Sequence, residues 1–262
     1  MQIEIYKYHG AGNDFIMIDN RDDIFPAEDA HLIEKLCHRR FGIGADGLIL
    51  IQNHQDFDFL MKYYNSDGYE STMCGNGGRC SVAFAEYLGL IQNNKTTFMA
   101  IDGIHYAEIW QDSVRLKMND VKNIVETKNY FYLNTGSPHL VIFTENTDET
   151  DVVAEGRKWR YNKQVAENGV NVNFVQKLDQ STLKIRTYER GVEDETWSCG
   201  TGSVAAALAY HLSVNSDQKS GKVKLIAKGG ELIVDFEHEE TFYRNIFLTG
   251  KAVKVFKAAI AI

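Results

Sequence analysis

The chain has 262 residues, with 28 lysines and arginines against 36 aspartates and glutamates, so its formal net charge is −8 at pH 7. This acidic balance argues against binding to a nucleic-acid backbone or to an anionic membrane surface. Hydrophobic residues make up 44% and charged residues 24%, a composition typical of a globular protein with a sizeable core. The length suits one large domain or two of ordinary size.

Four cysteines, at positions 37, 74, 80 and 199, are too few and too irregularly spaced for a disulfide framework. The first residues alternate apolar and polar side chains, unlike the basic and then apolar regions of a secretory signal. No apolar run approaches the roughly 20 residues that span a bilayer. We therefore expect a cytoplasmic protein with reduced thiols.

Short apolar/polar alternations predict β-strands along most of the chain. In chain order they are Ile3–Tyr8, Phe15–Asp19, Leu48–Ile51, Phe57–Tyr64, Thr97–Ile101, His105–Trp110, Val114–Met118, Tyr130–Thr135, Leu140–Thr144, Val172–Lys177, Leu183–Tyr188, Lys222–Ala227, Glu231–Phe236, Ile246–Thr249 and Ala252–Phe256. Helical spacing predicts short helices over Asp29–His38 and Asp151–Trp159, and two more that begin at Cys74 and Cys199. Many strands and few helices predict an α+β fold.

A weak internal repeat divides the chain. Cys-Gly-Asn-Gly begins at Cys74 and Cys-Gly-Thr-Gly begins at Cys199, about half a chain apart, and each opens a stretch of small residues. We expect two pseudo-symmetric domains, each a curved mixed sheet or barrel of strands around a central helix. The predicted N-terminal domain comprises residues 1–118 and 250–262, and the predicted C-terminal domain comprises residues 119–249.

The two Cys-Gly-x-Gly elements predict a specific chemistry. The first amides of a helix have no partner within the helix and bind anions such as a carboxylate. The same field lowers the pKa of a cysteine at that end and favours its thiolate. Inverting an amino-acid α-carbon needs a base on one face, an acid on the other and donors that hold the developing charge. Cys74 and Cys199 in two similar halves would supply that pair, without a cofactor.

Other interpretations fit less well. Buried structural cysteines explain Cys37 and Cys80, but they leave two matching glycine-rich elements unexplained. Zinc ligands usually come as closely spaced cysteine pairs, so no metal site is expected. A cysteine acyl-transferase with His139 as base would leave the second element without a role. The G-x-G-x-x-G stretch at 42–47 follows a predicted helix and precedes a strand, the reverse of a dinucleotide site.

Eight motifs resemble those of the diaminopimelate epimerase family, and they occur in the family's order. They are HGAGNDF at 9–15, FGIGADG at 41–47, NSDG at 65–68, MCGNGGRC at 73–80, GSPH at 136–139, NVNF at 171–174, ERG at 189–191 and SCGTG at 198–202. The resemblance implies a homodimeric isomerase, independent of pyridoxal phosphate, that converts LL- to meso-diaminopimelate for lysine and peptidoglycan precursor synthesis.

The resemblance also implies residue roles. Cys74 and Cys199 become the base and acid, and His139 and Glu189 tune their pKa values. The groups that would bind the amino-acid substrate are Asn13, Asn65, Gly75, Asn76, Asn171, Glu189, Arg190, Gly200 and Thr201, with Ser137 in place of an asparagine found in some members. The segment 191–199 is also one residue longer than in some members.

A non-catalytic amino-acid binder is the alternative from another functional class. It would keep Asn65, Asn171 and Arg190 but would need neither cysteine of the Cys-Gly-x-Gly elements. Selective alkylation at Cys74 or Cys199 by a substrate-like electrophile would distinguish an enzyme from such a binder.

Overall fold

A computed structural model describes residues 2–215, 217–240 and 242–262. The chain divides into two units. Unit 1 comprises Met1–Leu116 with Gly250–Ile262, and unit 2 comprises Lys117–Thr249. Each unit combines strands with two α-helices, so the predicted α+β class is confirmed.

The elements of unit 1 are, in chain order, β1 (Gln2–Gly10), β2 (Asn13–Asp19), α1 (Ala30–Cys37), β3 (Gly47–Gln52), β4 (Phe59–Asn65), β5 (Glu70–Ser71), α2 (Gly75–Tyr87), β6 (Lys95–Ala100), β7 (Gly103–Trp110) and β8 (Ser113–Lys117, whose last residue belongs to unit 2).

Unit 2 continues with β9 (Val121–Lys122), β10 (Val125–Glu126), β11 (Phe131–Asn134), β12 (Pro138–Phe143), a 3-10 helix (Thr147–Glu149), α3 (Val152–Arg160), β13 (Asn171–Lys177), β14 (Thr182–Glu189), β15 (Asp194–Thr196), α4 (Gly200–Asn215), β16 (Ser220–Ala227), β17 (Gly230–Glu239) and β18 (Phe242–Lys251, whose last two residues belong to unit 1). The last strand, β19 (Val253–Ala261), returns to unit 1 and pairs antiparallel with β1.

Strand pairing follows the same sequence of directions in both units. In unit 1, β1 and β2 are antiparallel, β2 and β3 parallel, β3 and β4 antiparallel, β4 and β6 parallel, and β6 and β7 antiparallel. In unit 2, the strands β11, β12, β13, β14, β16 and β17 repeat that pattern. Helices α1 and α3 make the first parallel crossover, and α2 and α4 make the second. The two units therefore share one strand topology, as the predicted internal repeat requires.

The helices α2 and α4 are buried in their own units. Ten of the thirteen residues of α2 are buried, and residues 202–210 of α4 are buried on every side. Helix α2 packs on β1 and β2, whereas α4 packs on β12 and β16. A helix that is surrounded by strands needs small or apolar residues on all faces, which explains the Gly- and Ala-rich sequences that follow both cysteines.

The surface helices begin at acidic caps. The Asp29 carboxylate accepts a hydrogen bond from Leu32 N (2.9 Å) and starts α1, and Asp151 accepts one from Ala154 N (3.0 Å) and starts α3. Such caps contribute about 1 kcal/mol each. The predicted helices at these places are confirmed to within a residue at each end. Four strands of two or three residues (β5, β9, β10 and β15) were not predicted, because so short a segment carries no periodicity.

Across the part of the chain that the structure describes, every helix falls short of the length and apolar character that a bilayer span requires.

Candidate active site

Cys74 lies at the amino end of α2, in unit 1. It is the residue before the helix, with an extended backbone (φ −89°, ψ 134°), and its side chain does not cap the helix. The first amides of α2 are therefore not bound by their own capping residue. Gly78 N closes the first turn on Cys74 O at 2.7 Å. Gly75 and Asn76 contribute the backbone amides at this end, next to the sulfur.

Asn13 contacts Cys74 from β2. Its Oδ1 accepts a hydrogen bond from Cys74 Sγ (3.5 Å) and another from Asn76 Nδ2 (3.3 Å). Its Nδ2 donates to Asp46 Oδ2 at 2.6 Å. These partners at both ends fix the orientation of the Asn13 amide, so that its oxygen faces the thiol.

The carboxylates behind Asn13 are balanced by cations. Arg39 binds Asp14 at 2.7 Å and Asp46 at 2.6 Å, and Lys7 binds Asp14 at 2.6 Å. Burial alone would raise the pKa of Asp14, but hydrogen bonds from Arg39 and Lys7 lower it to about 2. The carboxylate therefore stays charged at neutral pH and supports the loop that carries Asp46.

Cys199 lies directly before α4, in unit 2, and is 9% exposed. Gly202 N donates to its Sγ at 3.4 Å, and Thr201 Oγ1 lies 3.5 Å from the same sulfur. A backbone amide and a hydroxyl can both donate to a thiolate, so this environment stabilises the deprotonated form.

Gly202 cannot carry a side chain in this arrangement. A Cβ at this position would lie 2.4 Å from Asn173 Oδ1 and 3.3 Å from Cys199 Sγ. The close approach of β13 to the first turn of α4 therefore requires glycine at this position of the Cys-Gly-x-Gly element.

His139 is fully buried, and its hydrogen bonds determine its tautomer. Asn173 Nδ2 donates both to Leu140 O (3.0 Å) and to His139 Nδ1 (3.1 Å), while Asn173 Oδ1 accepts from Thr187 Oγ1 (3.0 Å). His139 Nδ1 is therefore the acceptor, and Nε2 carries the proton.

The protonated nitrogen of His139 faces the hydroxyls next to Cys199. Nε2 lies 2.9 Å from Thr201 Oγ1 and 3.0 Å from Ser137 Oγ. Burial, with a smaller contribution from the positive charge of Arg190, lowers the pKa of His139 to about 3. At neutral pH, His139 is an uncharged donor that can direct the Thr201 hydroxyl proton toward Cys199.

Asn171 joins Ser137 to Arg190. Its Nδ2 donates to Ser137 Oγ and to Pro138 O, each at 3.1 Å, and its Oδ1 accepts from Arg190 N at 2.8 Å. Asn171 lies opposite His139 in the parallel pair of β12 and β13, so the register places these residues together.

Asn65 and Glu189 hold equivalent places in the two repeats. Asn65 ends β4 and Glu189 ends β14, and both side chains are half-buried. The backbone of Asn65 closes a turn with Tyr69 O (3.0 Å), and within the described residues its side chain makes no hydrogen bond to Asn13, Cys74 or Asn76.

Each unit brings together part of the predicted site. Unit 1 gathers Asn13, Cys74, Gly75 and Asn76, and unit 2 gathers Ser137, His139, Asn171, Arg190, Cys199, Gly200 and Thr201.

Sequence reasoning assigned no role to several residues that hold these groups in place. Asp46, Arg79 and Asn173 stand inside the motifs, and Thr187 lies outside them. Three of them, Asp46, Asn173 and Thr187, form hydrogen bonds with residues that lie 14 to 34 positions away in the sequence. The sequence does offer one signal for Asn173: a polar residue at a strand position that faces inward indicates a buried hydrogen-bonding role.

Comparison with known proteins identifies the family of the chain. A sequence model of the family described as diaminopimelate epimerase matches residues 5–124 and 131–255. A diaminopimelate epimerase from Flavobacterium psychrophilum is 53% identical over 98% of this chain and 100% of its own. A diaminopimelate epimerase from Chlorobaculum tepidum is 42% identical, covering 97% and 99%.

Solved structures share the fold at low identity. A phenazine biosynthesis protein of the PhzF family from Bacillus anthracis matches with a TM-score of 0.78 at 14% identity, over 100% of both chains. A hydroxyproline epimerase from Agrobacterium vitis matches with a TM-score of 0.67 at 15% identity, over 100% of this chain and 93% of its own. Because the family match and the two relatives extend over nearly the whole length, this chain belongs to the diaminopimelate epimerase family.

Proposed function

We propose that this chain epimerises LL-diaminopimelate to meso-diaminopimelate, in the synthesis of lysine and peptidoglycan precursors. Near-full-length identity of 53% and 42% to two diaminopimelate epimerases is the observation that carries the proposal. The placement of a cysteine at the amino end of a buried helix in each unit supports it.

Cys74 and Cys199 exchange the α-proton in this proposal. One acts as a thiolate base and the other as a thiol acid. After inversion the base has become a thiol and the acid a thiolate, and proton exchange with solvent returns the pair to its starting state. The backbone amides of Gly75 and Asn76, and of Gly200 and Thr201, bind the α-carboxylate as the carbanion develops. Asn13 holds the thiol proton of Cys74 through Oδ1, which supports its place beside the reacting carbon.

The distal amino-acid end of diaminopimelate is bound by a set of polar side chains: Asn65, Asn171, Glu189 and Arg190. The Arg190 guanidinium suits a carboxylate and the Glu189 carboxylate suits an ammonium group. Asn171 acts by holding Ser137 and the Arg190 backbone, since both ends of its amide already bind these groups. Ser137 contacts substrate more weakly than a longer amide side chain would.

Hydrogen exchange tests the mechanism. We expect solvent deuterium to enter the α-position of diaminopimelate at a rate that added pyridoxal phosphate does not change. Cys74→Ala and Cys199→Ala should each lower epimerisation by at least about a hundredfold. Cys37→Ala is the matched control, because Cys37 is buried in the core of unit 1, and burial raises the pKa of its thiol to about 12. Wild-type epimerisation by both single variants would refute the two-cysteine mechanism.

A substrate panel tests the specificity. Diaminopimelate should be turned over faster than proline, hydroxyproline, glutamate and lysine, because only diaminopimelate offers a second ammonium and carboxylate to Glu189 and Arg190. Faster inversion of a ring amino acid would point to a different isomerase on the same fold.

We also propose a homodimer that works in the cytoplasm. Sedimentation equilibrium should give about twice the monomer mass of 29.7 kDa. A monomer with full epimerase activity would contradict the assembly without affecting the assigned reaction.

A further inference from the structure

Arg79 is a fully buried cation in the second turn of α2, with 0% of its surface exposed. Arginines at this depth are normally paired with a carboxylate, because an unpaired buried charge is costly. Among the described residues, no carboxylate lies within ion-pair distance of Arg79, and its Nε has no hydrogen-bond partner. The protein therefore holds a buried positive charge without an acidic partner.

The guanidinium of Arg79 lies at the cysteine end of the helix. Its Nη1 donates to Gly75 O at 3.2 Å, and its Nη2 donates to Asn76 Oδ1 at 2.7 Å. Strand β1 covers it closely at Gly10, where a Cβ would lie 3.4 Å from Nη2 and 3.0 Å from Asn76 O. The side chain thus runs back along α2 and places its charge at the first turn, which directly follows Cys74.

This position is unfavourable for the fold. The amino end of a helix already carries partial positive charge from its free amides, so a cation there adds repulsion to the cost of burial. Burial lowers the pKa of Arg79, and the Cys80 and Cys74 thiols act in the opposite direction. An anion at this end of α2 would offset the cost.

Cys74, rather than Cys80, is the group on which this charge can act. Cys80 is fully buried, and burial raises the pKa of its thiol to about 12, so it stays protonated. Cys74 is only partly buried. The hydrogen bond from Arg79 to Asn76 Oδ1 also directs Asn76 Nδ2 toward Asn13 Oδ1, which faces the Cys74 sulfur.

We propose that Arg79 is a positioning residue for Cys74: its buried charge stabilises the Cys74 thiolate and opposes the effect of the Asn13 oxygen, which accepts the thiol proton, while its hydrogen bond holds the Asn76 amide in place. The inference deepens the proposed function, because it assigns the residue that adjusts one of the two proton-transfer groups.

Several other charged groups of unit 1 have partners of their own. Lys7 pairs with Asp14, and Arg39 pairs with Asp14 and Asp46, on the side of β2. Asp102 accepts hydrogen bonds from Met73 N, next to Cys74 in the sequence, and from His105, the latter at 3.2 Å. Replacing Arg79 therefore changes the local charge while these pairs remain.

The experiment measures how fast iodoacetamide alkylates Cys74 across pH, with each cysteine resolved by peptide mass spectrometry. Arg79→Met should move the midpoint of the Cys74 profile upward by about one pH unit. Arg79→Lys, which keeps the charge, should restore most of that shift. The Cys199 profile should stay unchanged in both variants. Arg21→Met is the matched control, because it removes a cation of unit 1 that already has Asp19 as its partner.

Stability separates this role from a purely structural one. Arg79→Met should melt at the wild-type temperature or above, since it removes an unpaired buried charge. An unfolded Arg79→Met protein, or an unshifted Cys74 profile, would overturn the inference. Alkylation needs no substrate, so a shifted profile in a protein that does not turn over diaminopimelate would contradict only the proposed function.

Discussion

The residues around Cys199 link a neutral histidine to a thiol through a hydroxyl. Asn173 fixes the His139 tautomer, and His139 Nε2 faces Thr201 Oγ1 at 2.9 Å. Thr201 can then direct its own proton at Cys199 Sγ. Because burial keeps His139 uncharged, its influence on Cys199 depends on the orientation of one hydrogen bond and not on a positive charge.

Thr201→Val tests this link. The valine keeps the shape but removes the hydroxyl, so the thiolate of Cys199 loses a donor worth about 1.5 kcal/mol. We expect kcat/KM to fall about tenfold and the alkylation profile of Cys199 to move to higher pH. Thr144→Val is the matched control in unit 2, because the Thr144 hydroxyl is buried without a partner and its loss should leave both readouts unchanged. An unaltered Cys199 profile in Thr201→Val would show that the hydroxyl has no such role.

At the scale of elements, the first turns of α2 and α4 depend on glycine to different degrees. A Cβ at Gly202 meets the amide oxygen of Asn173 at 2.4 Å, and that amide is itself fixed by hydrogen bonds. A Cβ at Gly77, the equivalent place in α2, meets the flexible end of Ile49 at 3.2 Å, and Met61 and Phe15 lie at an ordinary contact distance of 3.5 Å.

Gly202→Ala should therefore be far more damaging than Gly77→Ala. Overpacking at Gly202 is expected to cost about 2 kcal/mol in the free energy of unfolding, whereas the helix preference of alanine offsets most of the smaller clash at Gly77. Urea denaturation measures both. Equal losses in the two variants would mean that Asn173 moves aside easily, contrary to its network of hydrogen bonds.

The elements that carry the cysteines were predictable from sequence because their signals are local. A cysteine, a glycine-rich turn and a run of small residues occupy consecutive positions, and Asp29 and Asp151 mark α1 and α3 in the same way. The network behind the cysteines was not predictable. Asn173 contacts His139 across two parallel strands, and Asn13 contacts Asp46 across a crossover, so these pairs depend on strand register.

At the scale of the whole molecule, acid should act first on unit 2. His139 and His211 are both buried there, and burial lowers both pKa values below the ordinary 6.5, to about 3 for His139. The unfolded chain takes up these protons below pH 6.5 while the folded chain does not, so stability falls as the pH drops from 6.5 toward 3. In unit 1, the lowered pKa of Asp14 produces a loss only as the pH falls from 3.8 toward 2.

Hydrogen–deuterium exchange can measure the effect of acid on each unit separately. Between pH 7 and pH 5, after correction for the intrinsic exchange rates, peptides of residues 117–249 should lose protection while those of residues 2–116 change little. His211→Phe should reduce the loss in unit 2, because the phenylalanine takes up no proton. Equal loss in both units at pH 5 would contradict the assignment to the buried histidines.

The pairing of β19 with β1 has a consequence for biosynthesis. Ile3 and Ile5 of β1 are buried in a core that Ala258 and Ile260 of β19 help to cover. On the ribosome, β19 is translated only after all of residues 117–249, so unit 2 has its full sequence while β1 still exposes an unpaired edge. Such an edge is prone to intermolecular pairing. In the nascent chain, β1 therefore lacks its β19 partner until β19 has been translated. We expect the need for chaperones to be greatest at that stage.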